Sequence, residues 1–182
     1  MDNQKRAGKL RISRAALLLS AFPCLAMPAP ALADTINSSL SAEVRQPLTV
    51  IKNSDLIFGN FVAGAANSDF RIDAVTGIMT QLNGDAVVIG GTTSRASFTA
   101  TGTPFAQANI RRSQNSINIV RVGGTETMRV NDFWLGNRAG LRDQILDASG
   151  QATYFVGGRL RIGANQAPGN YRGSFDVTIE YF

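Results

Sequence analysis

Histidine is missing from this chain of 182 residues, and cysteine occurs once, at position 24. Without imidazole there is no His-based triad, no His-ligated metal and no side chain whose ordinary pKa falls near neutrality. Lysine is almost as scarce. Beyond residue 33 the only one is Lys52, and it follows Ile51 rather than a glycine, so no phosphate-cradling Gly-Lys-Ser/Thr loop is available. No apolar run approaches the roughly 20 residues a spanning helix needs. A Gly-x-Ser-x-Gly elbow is also absent, so no serine has a recognisable means of activation.

What is present begins with a leader. Lys5, Arg6, Lys9, Arg11 and Arg14 precede an apolar run from Ala15 to Met27, and Ala31-Leu32-Ala33 fits the small-x-small rule for cleavage before Asp34. Residues 1–33 are therefore expected to be a Sec-type signal peptide that is removed. Cys24 lies inside it, and Ala21-Phe22-Pro23 lacks the small residues of a lipobox. The exported chain then carries no thiol, and packing alone must hold it without disulfides.

The leader also accounts for the charge. The formal net charge is +5, and removal of five cations and Asp2 leaves 13 Arg or Lys against 12 Asp or Glu. Nucleic acid loses its electrostatic support, and no nucleic-acid partner is expected. Arg111-Arg112 reads as a solvated strand end or turn. Residues 34–182 are long enough for one domain with its own core.

The remainder reads as short strands: Pro47–Lys52, Asp55–Phe61, Phe70–Ala74, Gly77–Gln81, Ala86–Gly90, Ala96–Thr101, Ser116–Val122, Thr127–Asn131, Ala152–Val156, Arg159–Ile162 and Tyr171–Tyr181. Asn83-Gly84 and Gly123-Gly124 are hairpin signals, and Asp147–Gly150 and Pro168-Gly169 mark further turns. Asn137–Leu146, with Leu141 and Ile145 four apart, is the one candidate for a helical turn. This spacing predicts an all-β, antiparallel sandwich, immunoglobulin-like first and jelly roll second.

Two segments stand out. Near the end, Phe175, Val177, Ile179 and Tyr181 alternate with Ser174, Asp176, Thr178 and Glu180, the period-2 pattern of a strand with one buried face. Near the start of the exported chain, Ile36, Ser38, Leu40, Ala42 and Val44 share one face of an extended segment, with Thr35, Asn37, Ser39, Ser41, Glu43 and Arg45 on the other. Pro47 separates this segment from Leu48–Ile51. It is either the first strand of its own sandwich or a detachable arm that completes another molecule.

Two features resemble the subunits of chaperone–usher pili: a penultimate tyrosine, here Tyr181, and a glycine fourteenth from the end, here Gly169, flanking an alternating strand. A closer resemblance runs through Pro47-Leu48-Thr49-Val50, Asp55–Gly59, Ala96–Pro104, Leu146–Gly150, Val156–Leu160 and Gly163–Tyr171. These six ordered motifs are similar to a family of exported bacterial domains of unknown function that itself resembles the major subunits of the common-pilus type of fimbria. That resemblance implies a sandwich lacking its last strand, filled first by a periplasmic chaperone and then, at an outer-membrane usher, by the arm of the next copy, a form of β-augmentation. It implies a division into a leader at 1–33, an arm at 34–46 and a pilin-like domain at 47–182. Ile36, Ser38, Leu40, Ala42 and Val44 would be the donor positions. Gly169, Phe175, Val177, Ile179 and Tyr181 would bound the groove and offer the chaperone an edge. Classical pilins usually carry a disulfide near the first strand, and this chain departs from them in having none.

The first functional expectation is a structural subunit of a surface fimbria, a homopolymer joined by donor-strand exchange, that passes through the periplasm to the cell surface. The alternative is a self-complete secreted or surface module whose arm packs in cis. No catalytic residue, cofactor or metal is expected. Twelve acids remain in the exported chain, yet no spacing favours any two as a glycosidase pair. Asp69, Asp73 and Asp85 match no calcium loop, and Phe133-Trp134-Leu135 reads first as core or loop plug and second as a sugar-stacking platform.

Overall fold

The computed structural model describes residues 41–182. Among them every extended element is a strand and no helix occurs: β1 Thr49–Ser54, β2 Asn60–Val62, β3 Ser68–Ile72, β4 Met79–Asn83, β5 Val87–Gly90, β6 Ala96–Thr101, β7 Gln107–Arg112, β8 Ser116–Arg121, β9 Thr127–Gly136, β10 Asp143–Ile145, β11 Gln151–Ile162, β12 Tyr171–Arg172 and β13 Val177–Tyr181. Every strand pairing is antiparallel. The fold is an all-β sandwich of the immunoglobulin-like kind.

The larger layer runs β1-β6-β11-β9-β8-β12, with β3 also paired to β11 and carrying β4. β11 is its spine. Its first half pairs with β6 and its second half with β3. The Gly157-Gly158 pair falls at a register shift against β9, so what read as two strands in sequence is one bent strand. The second layer is the three-stranded sheet β10-β7-β13, with a separate ribbon β2-β5.

Alternation explains how the layers meet. Ala96, Phe98 and Ala100 of β6, Ala108 and Ile110 of β7, Val130 of β9, Tyr154, Leu160 and Ile162 of β11 and Ile179 of β13 form one buried cluster. The Tyr154 hydroxyl donates to the Ala108 carbonyl at 2.8 Å, tying the spine of one layer to the centre of the other. Burial and the nearby Asp143 carboxylate push the Tyr154 phenol up to about 12. Phe133 and Phe175 stack with ring centroids 5.1 Å apart, and Phe61 packs on Phe70 at 4.5 Å beneath the β2-β5 ribbon.

Several elements differ from the sequence expectation. The alternating tail is two strands: β12 pairs with β8, β13 pairs with β7, and the chain crosses between layers from Gly173 to Asp176. Glycine suits the crossing, because a Cβ at Gly173 would stand 2.8 Å from Ile119 Cγ2. Asn137–Leu146 is a turn followed by β10, because the Asn137 side chain accepts from the Ala139 and Leu141 amides and captures the backbone locally. Asn83-Gly84 does not join a hairpin, since β4 pairs with β3 and β5 with β2. Asp55–Phe61 is broken at Gly59, whose φ is +87°, leaving a single bridge from Ile57 to Ser94 and the short β2. The β8–β9 hairpin does turn at Gly123-Gly124, closed by Arg121 N–H to the Glu126 carbonyl at 2.9 Å.

Candidate functional site

Among the described residues β13 has a strand neighbour on one side only. It pairs with β7 through Val177–Arg112, Ile179–Ile110 and Tyr181–Ala108, and no described strand pairs with its other edge. The expected alternation holds here: Val177, Ile179 and Tyr181 are wholly or partly buried on one face, and Thr178 is exposed on the other. The ladder also fixes which peptide groups are spare. Ser113 N–H donates to the Asp176 carbonyl at 3.2 Å and Phe182 N–H to the Gln107 carbonyl at 3.4 Å. The even-numbered residues therefore bond to β7, and the amides and carbonyls of Val177, Ile179 and Tyr181 face the open edge.

Tyr181 marks where this edge meets the start of β1. Its hydroxyl accepts from Thr103 N–H at 2.7 Å and donates to the Gln46 carbonyl at 3.0 Å. Gln46 N–H is held in turn by the Thr103 hydroxyl at 2.7 Å, and the Arg45 guanidinium stands 5.5 Å from the Tyr181 ring. Gly102 leaves room for that hydroxyl, because a Cβ there would collide with it and with Leu48. Leu48 packs on the core beside this knot.

The cover over β1 stops here. Val50 is the register partner of Ala100 and so shares its inward face, yet Ala100 is fully buried while Val50 is 44 % exposed. Lys52, opposite Phe98 on the same face, reaches out to Asp55 at 2.7 Å. Phe175, Val177 and Tyr181 from the second layer and Leu48 from the first are half-buried apolar residues packed at the rim of the core. The three-stranded layer is narrower than the sheet it faces, and Val50 on the inward face of β1 is left partly exposed.

The arm can be followed in part. Ile36, Ser38 and Leu40 lie outside the described residues. Ala42 and Val44 are in the non-strand segment that precedes β1, both exposed, Val44 at 95 %. Gly169 does not lie on β13. It sits in the turn before β12 with φ +147°, where a Cβ would stand 2.8 Å from Arg121 Cδ.

Other residues singled out by the sequence resolve into separate local tasks. Asp73 accepts from the Val75 and Thr76 amides, and Asp85 from those of Ala65 and Ala66. Asp69 is 1 % exposed on the outer face of β3, where it meets Arg159 at 2.7 Å and Arg161 at 3.0 Å. The three aspartates do not converge, and the described residues contain no cluster of three His, Cys, Asp or Glu able to hold a metal. Phe133 and Leu135 are core residues, whereas Trp134 faces out and is 42 % exposed. Arg111 pairs with Glu180 at 3.0 Å and Arg112 donates to the Phe133 carbonyl, so the basic pair ends β7 as a strand end. β7 itself was not foreseen, because its inward residues are Ala108 and Ile110, too weak an apolar signal beside two arginines.

Residues 48–181 match the family described as Domain of unknown function (DUF4402), and the chain belongs to that family. No curated protein and no solved structure matches it.

Proposed function

We propose that this member of the DUF4402 family is a structural subunit of a surface fimbria, assembled by donor-strand exchange. One observation carries the reading: β13 presents the peptide groups of Val177, Ile179 and Tyr181 at an edge that no described strand pairs. An apolar strand edge of this kind is a pairing template that an exported protein must cover, and a strand from another copy covers it while joining the two molecules. The exposed Val44, in the non-strand segment that precedes β1, supports the arm as that strand. Ile36, Leu40 and Val44 fill the apolar side of the gap, and Ser38 and Ala42 take its narrow positions. A periplasmic chaperone occupies the edge first, and an outer-membrane usher exchanges it for the arm.

The test is a gel of unboiled surface fractions from cells producing the full-length chain. A ladder that collapses on heating, and that disappears when Thr35–Val44 are deleted, supports assembly. A chain that stays a single band with or without those residues, and needs no chaperone to accumulate, is instead a self-complete secreted module.

A further inference from the structure

The outer face of the larger layer carries a second feature, unrelated to the open edge. Register places Arg71 of β3 opposite Arg159 of β11, and Arg159 opposite Asn131 of β9; one step along, Asp69, Arg161 and Arg129 form the next row. Four guanidinium groups thus share this part of one sheet face. Asp69 is fully engaged, its Oδ1 accepting from Arg161 and its Oδ2 from Arg159, Arg161 and Asn83. Asp132 gives Arg159 a second carboxylate at 3.3 Å.

Among the described residues no carboxylate comes within ion-pair distance of the other two arginines; the Asp73 carboxylate lies near enough to Arg71 to feel its charge, but its oxygens cap the Val75 and Thr76 amides. Among the described residues Arg71 and Arg129 enter no ion pair, the Arg71 Nε is buried without a hydrogen-bond partner, and the contact of Arg129 is the Ser116 hydroxyl at 3.2 Å. Trp134 shares the face. Its ring lies 5.6 Å from the Arg71 guanidinium and is 42 % exposed. Strand spacing and rise put Arg71 and Arg129 about 12 Å apart on the diagonal, which suits an extended oligomer better than a single small anion.

We propose that this face binds a carboxylated polysaccharide, with Trp134 stacking on a sugar ring and Arg71 and Arg129 receiving carboxylates. An aromatic face beside unpaired guanidinium groups matches a ring that is apolar on its flat side and anionic at its rim. Duplex nucleic acid fits less well, because it calls for a basic track along its backbone, and two arginines of this face are already neutralised by Asp69 and Asp132. The proposal does not depend on whether the chain polymerises.

The test is titration of the exported full chain with a galacturonate oligosaccharide, using dextran as the neutral control and a short DNA duplex as the charge control. The expected result is saturable binding of the galacturonate alone, weakened about tenfold by Trp134→Ala and by Arg71→Gln, the loss of one stacking or one charge-assisted contact. Arg129→Gln, at an exposed position, gives the same loss and serves if the other variants fold poorly. No galacturonate binding, binding indifferent to all three substitutions, or equal binding of dextran or DNA overturns the proposal.

Discussion

The Tyr181 hydroxyl donates to the Gln46 carbonyl at 3.0 Å, joining residues 135 apart in sequence. The same oxygen accepts from Thr103 N–H, so a single phenol fixes the last strand, the β6–β7 loop and the point where the arm leaves the domain. Tyr181→Phe keeps the ring and removes both bonds. Chemical unfolding of residues 34–182 is expected to show a loss of about 1–3 kcal/mol, and an unchanged midpoint would mean the knot is not holding.

The ladder between β13 and β7 predicts an alternating exchange pattern. In the monomer held apart from other copies, the amides of Val177, Ile179 and Tyr181 exchange quickly, while those of Thr178 and Glu180 are slow. In assembled material all five become slow. Uniform protection in the monomer would show that something within the same chain already covers the edge.

Val44 separates folding from assembly. Since it is 95 % exposed, Val44→Asp is expected to change the stability of the domain by less than about 0.5 kcal/mol. It should nonetheless abolish the heat-labile ladder, because the charge would enter an apolar gap in the next copy. Equal ladders from both chains would count against Val44 as a donor residue.

Asp69 is one of the carboxylates expected to make the domain sensitive to acid. Burial alone would raise its pKa, but hydrogen bonds from Arg161, Arg159 and Asn83 outweigh that and hold the carboxyl well below its ordinary value of 3.8. A depressed folded pKa means the contribution is complete above 3.8 and is lost as the pH falls through that value toward the folded one. Asp69→Asn should therefore cost about 2 kcal/mol at neutral pH, less than a fully buried pair because Arg161 stays half in water, and should flatten the loss of stability below pH 4. Urea midpoints across that range check both the size and the sign.

Alternation was legible wherever large apolar residues carried it. Phe175, Val177, Ile179 and Tyr181 announced their own face. It failed where small or polar residues do the inward packing, as in β7, and where apolar spacing had no buried counterpart: Leu141 and Ile145, four apart, are both exposed, and Leu146 is the residue that enters the core. Local sequence also could not say that the chain changes layers at Gly173, because that glycine is needed only for its approach to Ile119. The half-open edge of β13 was legible as a resemblance, and the peptide groups that line it emerged only from the register. Trp134 was read first as core or loop plug; the bulge at Asp132, φ +49°, lies just before Phe133 turns in and Trp134 turns out.

The most direct measurement exploits the absence of cysteine beyond residue 24. Ser41→Cys stands on the arm face opposite the donor positions in the sequence pattern and Thr178→Cys on the exposed face of β13, and where donor and acceptor strands set the two opposite each other their Cα atoms come within disulfide reach. The two substitutions are placed in separate copies and co-expressed for export, so that only pairing between molecules can join them. The account predicts a disulfide-linked dimer of one copy of each in surface fractions. The contradicting result is no such dimer from the mixed copies, together with an intramolecular disulfide when one chain carries both substitutions.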